Sequence, residues 1–541
     1  MSSRGEAFEM SATRPMGGYV LDSKDTGAQV TVSGRKSNER MNGILRVRKL
    51  FSSTQIFAFS LTYMCTWEVL TSQMMFALWN GGPQTYAWAT LIAYFGAAAQ
   101  AASLAEMASS VPIAGAQYHW TNALAPPRIK RFTTWLQGWI TWFGWVSVLA
   151  AYINLDAIVL QAMVSLQHET YVPQNWHTAL IMIAFLLVFG LVNSMRWTFV
   201  FVPWLELLAG ILHVALFVLF IVVLMVMGSR NSTDYIFFHR EIWSGWDSNS
   251  ALSWHLGMLT CVGSFISLDG TVHMAEETRV AKKAVPRAVF WGVVLNGAMG
   301  FAMVVCVLSA MGPMDEELAY APYPLAVVLM RTTKSADAST AMLCGILVIF
   351  ACSGLGCVAS VSRLTWAWSR DGGLPRWFAM VDAKHLLPIR AIWLGLALNI
   401  ALSLINVGSS AAYGAILSLA TISLFTSYGI AIFSMLAARW RSHQGQQVLE
   451  LGEWNMGRYG VFVNLFALLY TAYMAIFLPI PYSLPVTAVN MNYAGPIFVA
   501  GLIFVLSSWY LWGRKRWPGI DNDIVEFVKE HAEASENSRT A

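Results

Sequence analysis

The feature that most constrains the fold of this chain is a long succession of apolar runs separated by short polar links. A helix needs about 20 apolar residues to cross the hydrocarbon of a bilayer, and the runs have about that length. They predict twelve transmembrane helices, at 53–79, 86–110, 133–163, 178–195, 198–228, 252–275, 287–311, 340–366, 388–408, 411–438, 459–480 and 494–513. Only 12% of the residues are charged, whereas soluble proteins have about 25%. The composition therefore excludes a soluble enzyme and predicts an all-α polytopic membrane protein.

Positive charge is unevenly distributed between the predicted loops. Of the 34 lysines and arginines, 30 fall in the two tails and the even-numbered loops. Loops rich in Lys and Arg stay in the cytoplasm, so both termini are expected there. The sequon Asn231-Ser232-Thr233 then lies on the outer side, which makes Asn231 the predicted glycosylation site. We expect a disordered cytoplasmic tail at 1–49, a transporter domain at 50–515 and a cytoplasmic tail at 516–541.

The sixth apolar run carries an acid beside a glycine, Asp269-Gly270, at bilayer depth. A carboxylate in hydrocarbon is costly unless it is paired, hydrated or next to a cavity. Glycine is where a helix most readily gives up its backbone hydrogen bonds. An interrupted membrane helix with an acid at the break indicates the binding site of a transporter. The alternative is a continuous helix whose Asp269 turns inward and bonds to its neighbours.

The first run repeats this theme, because Glu68 is its only charged residue and lies about halfway along it. An inverted repeat of five helices would make the first and sixth helices equivalent, and matching interruptions are what such a repeat predicts. Trp67 adjoins Glu68, and an indole beside a carboxylate suits a cationic amine. The alternative is that Glu68 forms a hydrogen bond to a neighbouring helix.

Three further ionisable residues lie in apolar runs. Asp156 in the third run is a candidate for the lining of a central cavity. Glu206 and His213 in the fifth run are seven residues apart and so share a helical face. Such a pair could relay protons, although the same pair could simply satisfy polar partners within the bundle.

Four blocks of the sequence resemble the fungal amino acid/choline transporter family, part of the amino acid–polyamine–organocation superfamily. They are Asn80-Gly81-Gly82-Pro83, SLAEMASSVPIAGAQYHW at 103–120, HMAEETRVAKKAVPRA at 273–288 and SRLTWAWSRDGGLP at 362–375. The resemblance implies a five-plus-five inverted repeat with two extra helices. It also implies proton-coupled uptake and a midplane substrate site between a broken first and a broken sixth helix. The expected substrate-binding residues are Thr66, Trp67, Glu68, Phe265, Asp269 and Gly270, together with Asp156.

The chain departs from the superfamily at one informative place. Members with a Gly-Ser-Gly type of first helix bind the substrate carboxylate through backbone amides, but this chain has Cys65-Thr66-Trp67-Glu68 there. An acid at that position repels a carboxylate unless it is protonated or paired. The departure therefore favours an amine or a quaternary ammonium group, as in choline.

These observations favour a proton-coupled secondary transporter of a small amine-bearing metabolite such as an amino acid, GABA or choline. The candidates for proton coupling are Glu68, Asp269, Glu206 and His213. The alternatives are an exporter of an alkaloid-like secondary metabolite and, in another class, a nutrient sensor. No P-loop and no HExxH or CxxC pattern occurs, so no cofactor or metal is expected. The expected partners are a small-molecule substrate, protons and the lipid bilayer, with no nucleic acid, and the resemblance implies the plasma membrane.

Overall fold

The computed structural model describes residues 49–382, 384–446, 449–488 and 490–530. Most of the predicted tail at 1–49 and residues 531–541 lie outside these ranges. Secondary structure in the described residues is helical apart from two isolated β-bridges, which confirms the predicted all-α class. The α-helices are α1 (Ser53–Met64), α2 (Thr66–Ser72), α3 (Met75–Trp79), α4 (Gly82–Ser110), α5 (Gln117–Leu124), α6 (Lys130–Gln167), α7 (Asn175–Ser194), α8 (Arg196–Phe199), α9 (Val202–Met227), α10 (Thr233–Phe238), α11 (Ser250–Gly263), α12 (Ala281–Ala310), α13 (Glu316–Ala319), α14 (Pro324–Thr333), α15 (Ala336–Arg370), α16 (Ile389–Gly408), α17 (Ser410–His443), α18 (Gly460–Phe477), α19 (Ala494–Ser508) and α20 (Arg514–Arg516).

Ten helical stretches within the described residues are long and apolar enough to cross a membrane. They are α4, α6, α7, α8 with α9, α12, α15, α16, most of α17, α18, and α19 with α20. They correspond to the second to fifth and the seventh to twelfth predicted spans, so the chain is a multi-pass membrane protein. The predicted spans at 53–79 and 252–275 are instead divided into shorter pieces, and the count of twelve stays a prediction.

The first broken segment comprises α1, α2 and α3. The Ser52 side chain caps α1 by accepting from the backbone N–H of Gln55, whose side chain accepts from Ser52 N in return. The break lies at Cys65, which adopts the left-handed conformation with φ 33°. Asn296 of α12 spans the gap, since its Nδ2 donates to Leu61 O at 3.2 Å and its Oδ1 accepts from Thr66 N at 3.4 Å. One side chain from a neighbouring helix thus replaces backbone partners that the break removes.

The second broken segment has a wider gap. Helix α11 ends at Gly263, and the chain turns through residues 264–269 before a 3₁₀-helix at Gly270–Glu277. Ser267 lies in this turn with φ 69°. The predicted pair Asp269-Gly270 marks the point where the turn becomes the 3₁₀-helix. Both interruptions therefore fall in the two apolar runs that the sequence singled out, while the inverted relation between the two halves stays a prediction.

The helical bundle has two ends, a terminal face and an opposite face. On the terminal face, Leu50 and Phe51 donate their N–H groups to Glu277 O at 2.8 and 3.1 Å, and the chain leaves α20 at Trp517. The opposite face carries the connections at 229–249, 312–335 and 478–493. The connections of the opposite face are joined by backbone hydrogen bonds, among them Leu484 N to Ser244 O at 2.7 Å.

Helix α9 approaches α1 closely at Gly210. A Cβ at this position would lie 2.9 Å from Ala58 Cβ and 3.3 Å from its Cα, which is backbone and cannot turn aside. Gly210 stands between Glu206 and His213 on α9, so this close contact brings both ionisable side chains against the first broken segment.

Gly210→Leu is expected to lower the free energy of unfolding by about 1–3 kcal/mol, because the added side chain forces α9 away from α1. The matched control is Gly408→Leu, since a Cβ at position 408 has no neighbour within 4 Å. Thermal melting of the detergent-solubilised variants measures the difference. Equal melting temperatures for the two variants would contradict the close packing.

Candidate functional site

A cavity of about 680 Å³ lies among the two broken segments, α6 and α17. Its wall includes Met64 at the first break and Gly263 and Ser264 at the second. It extends toward the opposite face, where residues 319–324, 482–483 and 490–492 line it. Among the described residues, none of the connections on the terminal face borders it, so the cavity approaches the opposite face only.

The lining of this cavity contains no charged side chain and no histidine among the described residues. Its polar groups are hydroxyls and amides, contributed by Ser72, Gln73, Tyr152, Asn154, Thr260, Ser264, Ser418, Thr421, Tyr482, Ser483, Asn490 and Asn492, with Tyr320 and Tyr323 toward the opposite face. Tyr323 is fixed by a 2.7 Å hydrogen bond between its hydroxyl and Ser72 Oγ on α2. The cavity can therefore form hydrogen bonds in all directions, but it offers no formal charge to a ligand.

None of the seven predicted substrate-binding residues borders this cavity. All of them are buried: Thr66, Trp67, Glu68, Phe265, Asp269, Gly270 and Asp156. The structure places them behind the cavity wall, against neighbouring helices. Their role in substrate binding stays a prediction, and their observed partners point to a different kind of chemistry.

Asp269 is held by donors from three other helical elements. Its carboxylate accepts from the Tyr428 hydroxyl on α17 at 2.5 Å and from the Trp145 indole on α6 at 3.1 Å, and it also accepts from the amide of Gln117. His273 Nε2 lies 3.4 Å from the same carboxylate, while its Nδ1 lies 2.7 Å from Ala114 O. The ring thus lies between the Asp269 carboxylate and a backbone carbonyl oxygen.

Glu68 pairs with His213 across the interface of α2 and α9. The carboxylate Oε1 and the ring Nδ1 are 2.6 Å apart, and both side chains are completely buried. The indole of Trp67 lies beside the imidazole, with ring centroids 6.0 Å apart. The second oxygen of Glu68 and the His213 Nε2 have no hydrogen-bond partner in the described structure. The pair is therefore isolated from both the cavity and the membrane surface.

Glu206 does not join His213, although both face the bundle interior. Its Oε2 lies 2.7 Å from Thr62 Oγ1 on α1, and its Oε1 has no hydrogen-bond partner among the described residues. The predicted Glu206–His213 relay is thus replaced by two separate contacts with the first broken segment. Helix geometry explains this, because residues seven apart are roughly 10 Å apart along the axis and cannot touch directly.

Asp156 is the least satisfied of the buried acids. Both of its oxygens are buried and without a hydrogen-bond partner among the described residues, and it lies beside Gly354 on α15. Its carboxyl is within electrostatic range of the Cys65 thiol, as is that of Glu68. Three acids, Glu68, Glu206 and Asp156, therefore lie behind the first break, and of these only Glu68 contacts an imidazole among the described residues. A carboxylate in such surroundings is strongly disfavoured unless it is protonated.

Four ion pairs join separate elements at the terminal face, and we call them the terminal-face seal. They are Glu277–Arg363 at 2.7 Å, Glu276–Arg370 at 3.4 Å, Asp371–His119 at 3.1 Å and Glu106–Arg439 at 2.6 Å. No side chain in them is more than 10% exposed. Burial alone would raise the pKa of the Asp371 carboxyl, but the His119 ring, the Arg370 guanidinium and the Tyr118 hydroxyl hold it below its usual value. The seal closes the bundle at the end that the cavity does not reach.

Sequence reasoning missed several of these partners. Arg363 lies inside α15 and is 1% exposed, and its counterpart Glu277 is buried as well, but no sequence pattern indicated that the two pair. Asn296 is a polar side chain within an apolar run, and the reasoning that singled out the buried acids would have found it as well.

The predicted glycan acceptor is engaged in the fold. The Asn231 Nδ2 donates to Leu308 O and to Gly312 O, both at 2.8 Å. An N-linked glycan leaves this nitrogen one N–H, so it would remove one of the two hydrogen bonds. Glycosylation at Asn231 stays a prediction.

Comparison with known proteins gives a consistent result. A family model described as amino acid permease matches residues 52–503. Amino-acid permease 2 of Neurospora crassa is 30% identical over 499 residues, which cover 90% of this chain and 89% of the relative. The choline transporter of Saccharomyces cerevisiae is 25% identical over 514 residues, covering 92% and 87%. Amino-acid permease BAT1 of Arabidopsis thaliana is 27% identical over 480 residues, covering 85% and 91%.

Proposed function

Since the chain belongs to the amino acid permease family, and is therefore a membrane transporter rather than an enzyme, we propose that it carries small neutral zwitterions such as amino acids or GABA, driven by protons. The observation that supports this substrate class is the uncharged lining of the cavity. A ligand with net charge would lose its hydration there without gaining a counter-charge. A zwitterion carries its own counter-charge, and hydroxyls and amides can replace the water around both of its ends.

This proposal differs from the sequence analysis, in which Glu68 favoured a substrate with an amine or a quaternary ammonium group. A carboxylate in the site would recruit a cationic amine, but Glu68 pairs with His213 behind the wall. The acid therefore does not contribute its charge to the substrate, and the argument for a net cation weakens.

Choline is the second candidate, and a particular set of rings supports it. Near the opposite face, Phe76 and Tyr482 have ring centroids 5.0 Å apart, and Trp79 and Tyr320 have centroids 6.1 Å apart. All four residues line the cavity. Aromatic faces attract quaternary ammonium groups without a carboxylate.

The buried acids behind the first break support proton coupling. Glu68, Glu206 and Asp156 are buried away from water, and of the three only Glu68 contacts an imidazole, that of His213, so their protonation depends on the packing of the first broken segment against its neighbours. A movement of the first broken segment that changes this packing would change their affinity for protons. The cavity and the acids share that segment, which links substrate binding to proton binding. Asp269 is fixed by four neighbours and serves better as a structural anchor.

The charge distribution of the loops supports an orientation of the chain in the membrane, and we propose uptake on that basis. Lys and Arg concentrate on the side that holds both termini, which we assign to the cytoplasm. The cavity then faces outward with the terminal-face seal closed, which is the state in which an importer at the plasma membrane would bind its substrate.

The deciding experiment is uptake of radiolabelled alanine, GABA, lysine, glutamate and choline by cells that express the chain, at external pH 5 and 7. We expect the neutral zwitterions to be accumulated, and faster at the lower pH. Accumulation of lysine or glutamate in preference to alanine would refute the substrate class, and equal uptake at both pH values would refute the coupling.

Asn154→Asp is expected to raise the ratio of lysine uptake to alanine uptake about tenfold, which corresponds to about 1.4 kcal/mol. Asn154 borders the cavity, so the substitution would supply the missing counter-charge for a cationic side chain. Asn175→Asp is the matched control, because Asn175 begins α7 at an exposed position and does not line the cavity. An unchanged ratio in Asn154→Asp would count against the cavity as the substrate site.

A further inference from the structure

The chain beyond the last long helix does not simply leave the membrane. After α19 it passes through a π-helical turn at Trp509–Gly513 and the short α20 to Trp517, which is completely buried. The indole of Trp517 packs against Trp135 at the start of α6 and Trp368 near the end of α15, with centroid distances of 5.3 and 6.0 Å. This residue lies within the predicted cytoplasmic tail, so part of that tail is seated in the bundle.

Polar contacts fix this segment from both sides. The Trp517 indole N–H donates to Asp371 O at 2.8 Å. The guanidinium of Arg131 on α6 donates to the carbonyl oxygens of Arg514 at 3.2 Å and Gly513 at 3.5 Å, and also to that of Trp517. The segment thus bridges the start of α6 and the turn that follows α15.

The turn held by Trp517 also carries one member of the terminal-face seal. The Asp371 side chain accepts from the Tyr118 hydroxyl at 2.7 Å and lies 3.1 Å from His119 Nε2, both on α5. Its neighbour Arg370 pairs with Glu276 of the second broken segment. In these contacts Trp517 touches neither α5 nor the second broken segment. It fixes the backbone of Asp371, whose side chain bonds to α5 and whose neighbour Arg370 pairs with the second broken segment.

We propose that the Trp517 segment, residues 513–518, is a latch that holds the terminal-face seal closed. A transporter that takes up its substrate must open the terminal face, and Asp371 must then separate from Tyr118 and His119. A docked Trp517 keeps the Asp371 turn in the position that favours these contacts. Release of the segment frees the turn and shifts the conformational equilibrium toward the form that is open at this face. A cytoplasmic partner or a modification that draws the tail away would thereby regulate transport.

Amide hydrogen exchange of the purified full-length chain tests the latch without reference to any substrate, so its result does not depend on the proposed function. In Trp517→Ala we expect about tenfold faster exchange in two places. One is the turn at 371–373. The other is the pair of backbone bonds Leu50 N to Glu277 O and Arg279 N to Phe51 O, which belong to the closed terminal face and are not contacted by Trp517 in the interactions above. Trp440→Ala is the matched control, because Trp440 is 68% exposed.

Faster exchange at the turn alone would overturn the latch, because it would show a local packing role without effect on the seal. Unchanged exchange at both places would also overturn it. If Trp517→Ala fails to fold, Trp517→Phe keeps an apolar ring of smaller area and removes the indole N–H that donates to Asp371 O. That variant is expected to accelerate exchange at the same two places by a smaller factor, and acceleration at the turn only would again refute the proposal.

Discussion

Replacing His213 with alanine is expected to lower the free energy of unfolding by about 3–5 kcal/mol and to abolish the pH dependence of uptake. His213 and Glu68 are 2.6 Å apart and completely buried, so the substitution leaves a carboxyl group without its partner in a site that water does not reach. Breaking such a pair is far more damaging than exchanging the whole pair for neutral groups. Thermal melting gives the first effect, and uptake of alanine at pH 5 and 7 gives the second.

A double-mutant cycle separates the loss of the pair from the loss of the ring. The variant that combines His213→Ala with Glu68→Gln removes both members of the pair, and we expect it to regain at least half of the lost stability while its uptake stays independent of pH. His255→Ala is the control, since His255 is a partly exposed histidine that stacks on Phe477 near the opposite face. Full pH dependence in His213→Ala would show that the coupling proton is carried elsewhere.

The second large effect is expected at the terminal-face seal. Arg363→Met should lower the free energy of unfolding by about 3–5 kcal/mol, because it strands the Glu277 carboxylate that Arg363 Nε binds at 2.7 Å. The same substitution also removes the guanidinium from above the Phe199 ring, 4.6 Å from its centroid. We expect the terminal face to open more often, so that a preloaded substrate leaves faster than from the unchanged chain. Thermal melting and an efflux assay measure the two consequences.

Combining Arg363→Met with Glu277→Gln is expected to restore most of the stability but not the slow efflux, since the seal then lacks one of its ion pairs. Arg363→Lys keeps the positive charge and loses the planar contact with Phe199, so it should fall between Arg363→Met and the unchanged chain. Wild-type melting and efflux in Arg363→Met would mean that Glu277 is not held as the structure indicates.

The sequence was sufficient for the features that depend on local composition. Apolar runs of bilayer length predicted the helices, and single acids within two of those runs predicted where the helices break. The resemblance to permeases added the family, which the comparisons confirm. The left-handed Cys65 at the first break could not be read from its neighbours, because its position depends on Asn296, which is 230 residues later along the chain than Thr66.

Partners across helices were beyond the reach of the sequence for the same reason. Spacing within one helix suggested that Glu206 faces His213, but the true partner of His213 is 145 residues away on the first broken segment. Asp269 is likewise bound by Tyr428, 159 residues further on. Periodicity reports which side chains point inward, whereas the identity of a partner depends on how the helices pack. The uncharged cavity could not be predicted either, since the charges that the sequence shows nearby all turn away from it.

The neutral cavity wall, with every nearby acid behind it, has a consequence for how such proteins diversify. The residues that line the cavity and the residues proposed to carry the proton are separate: Glu68 lies behind the wall, and Glu206 and His213 lie on α9, which does not line the cavity. A single substitution in the cavity wall can therefore change the substrate preference while the proton-coupling residues stay unchanged. Chains that descend from one ancestor could in this way acquire different substrate specificities while they keep the same proton-coupling residues.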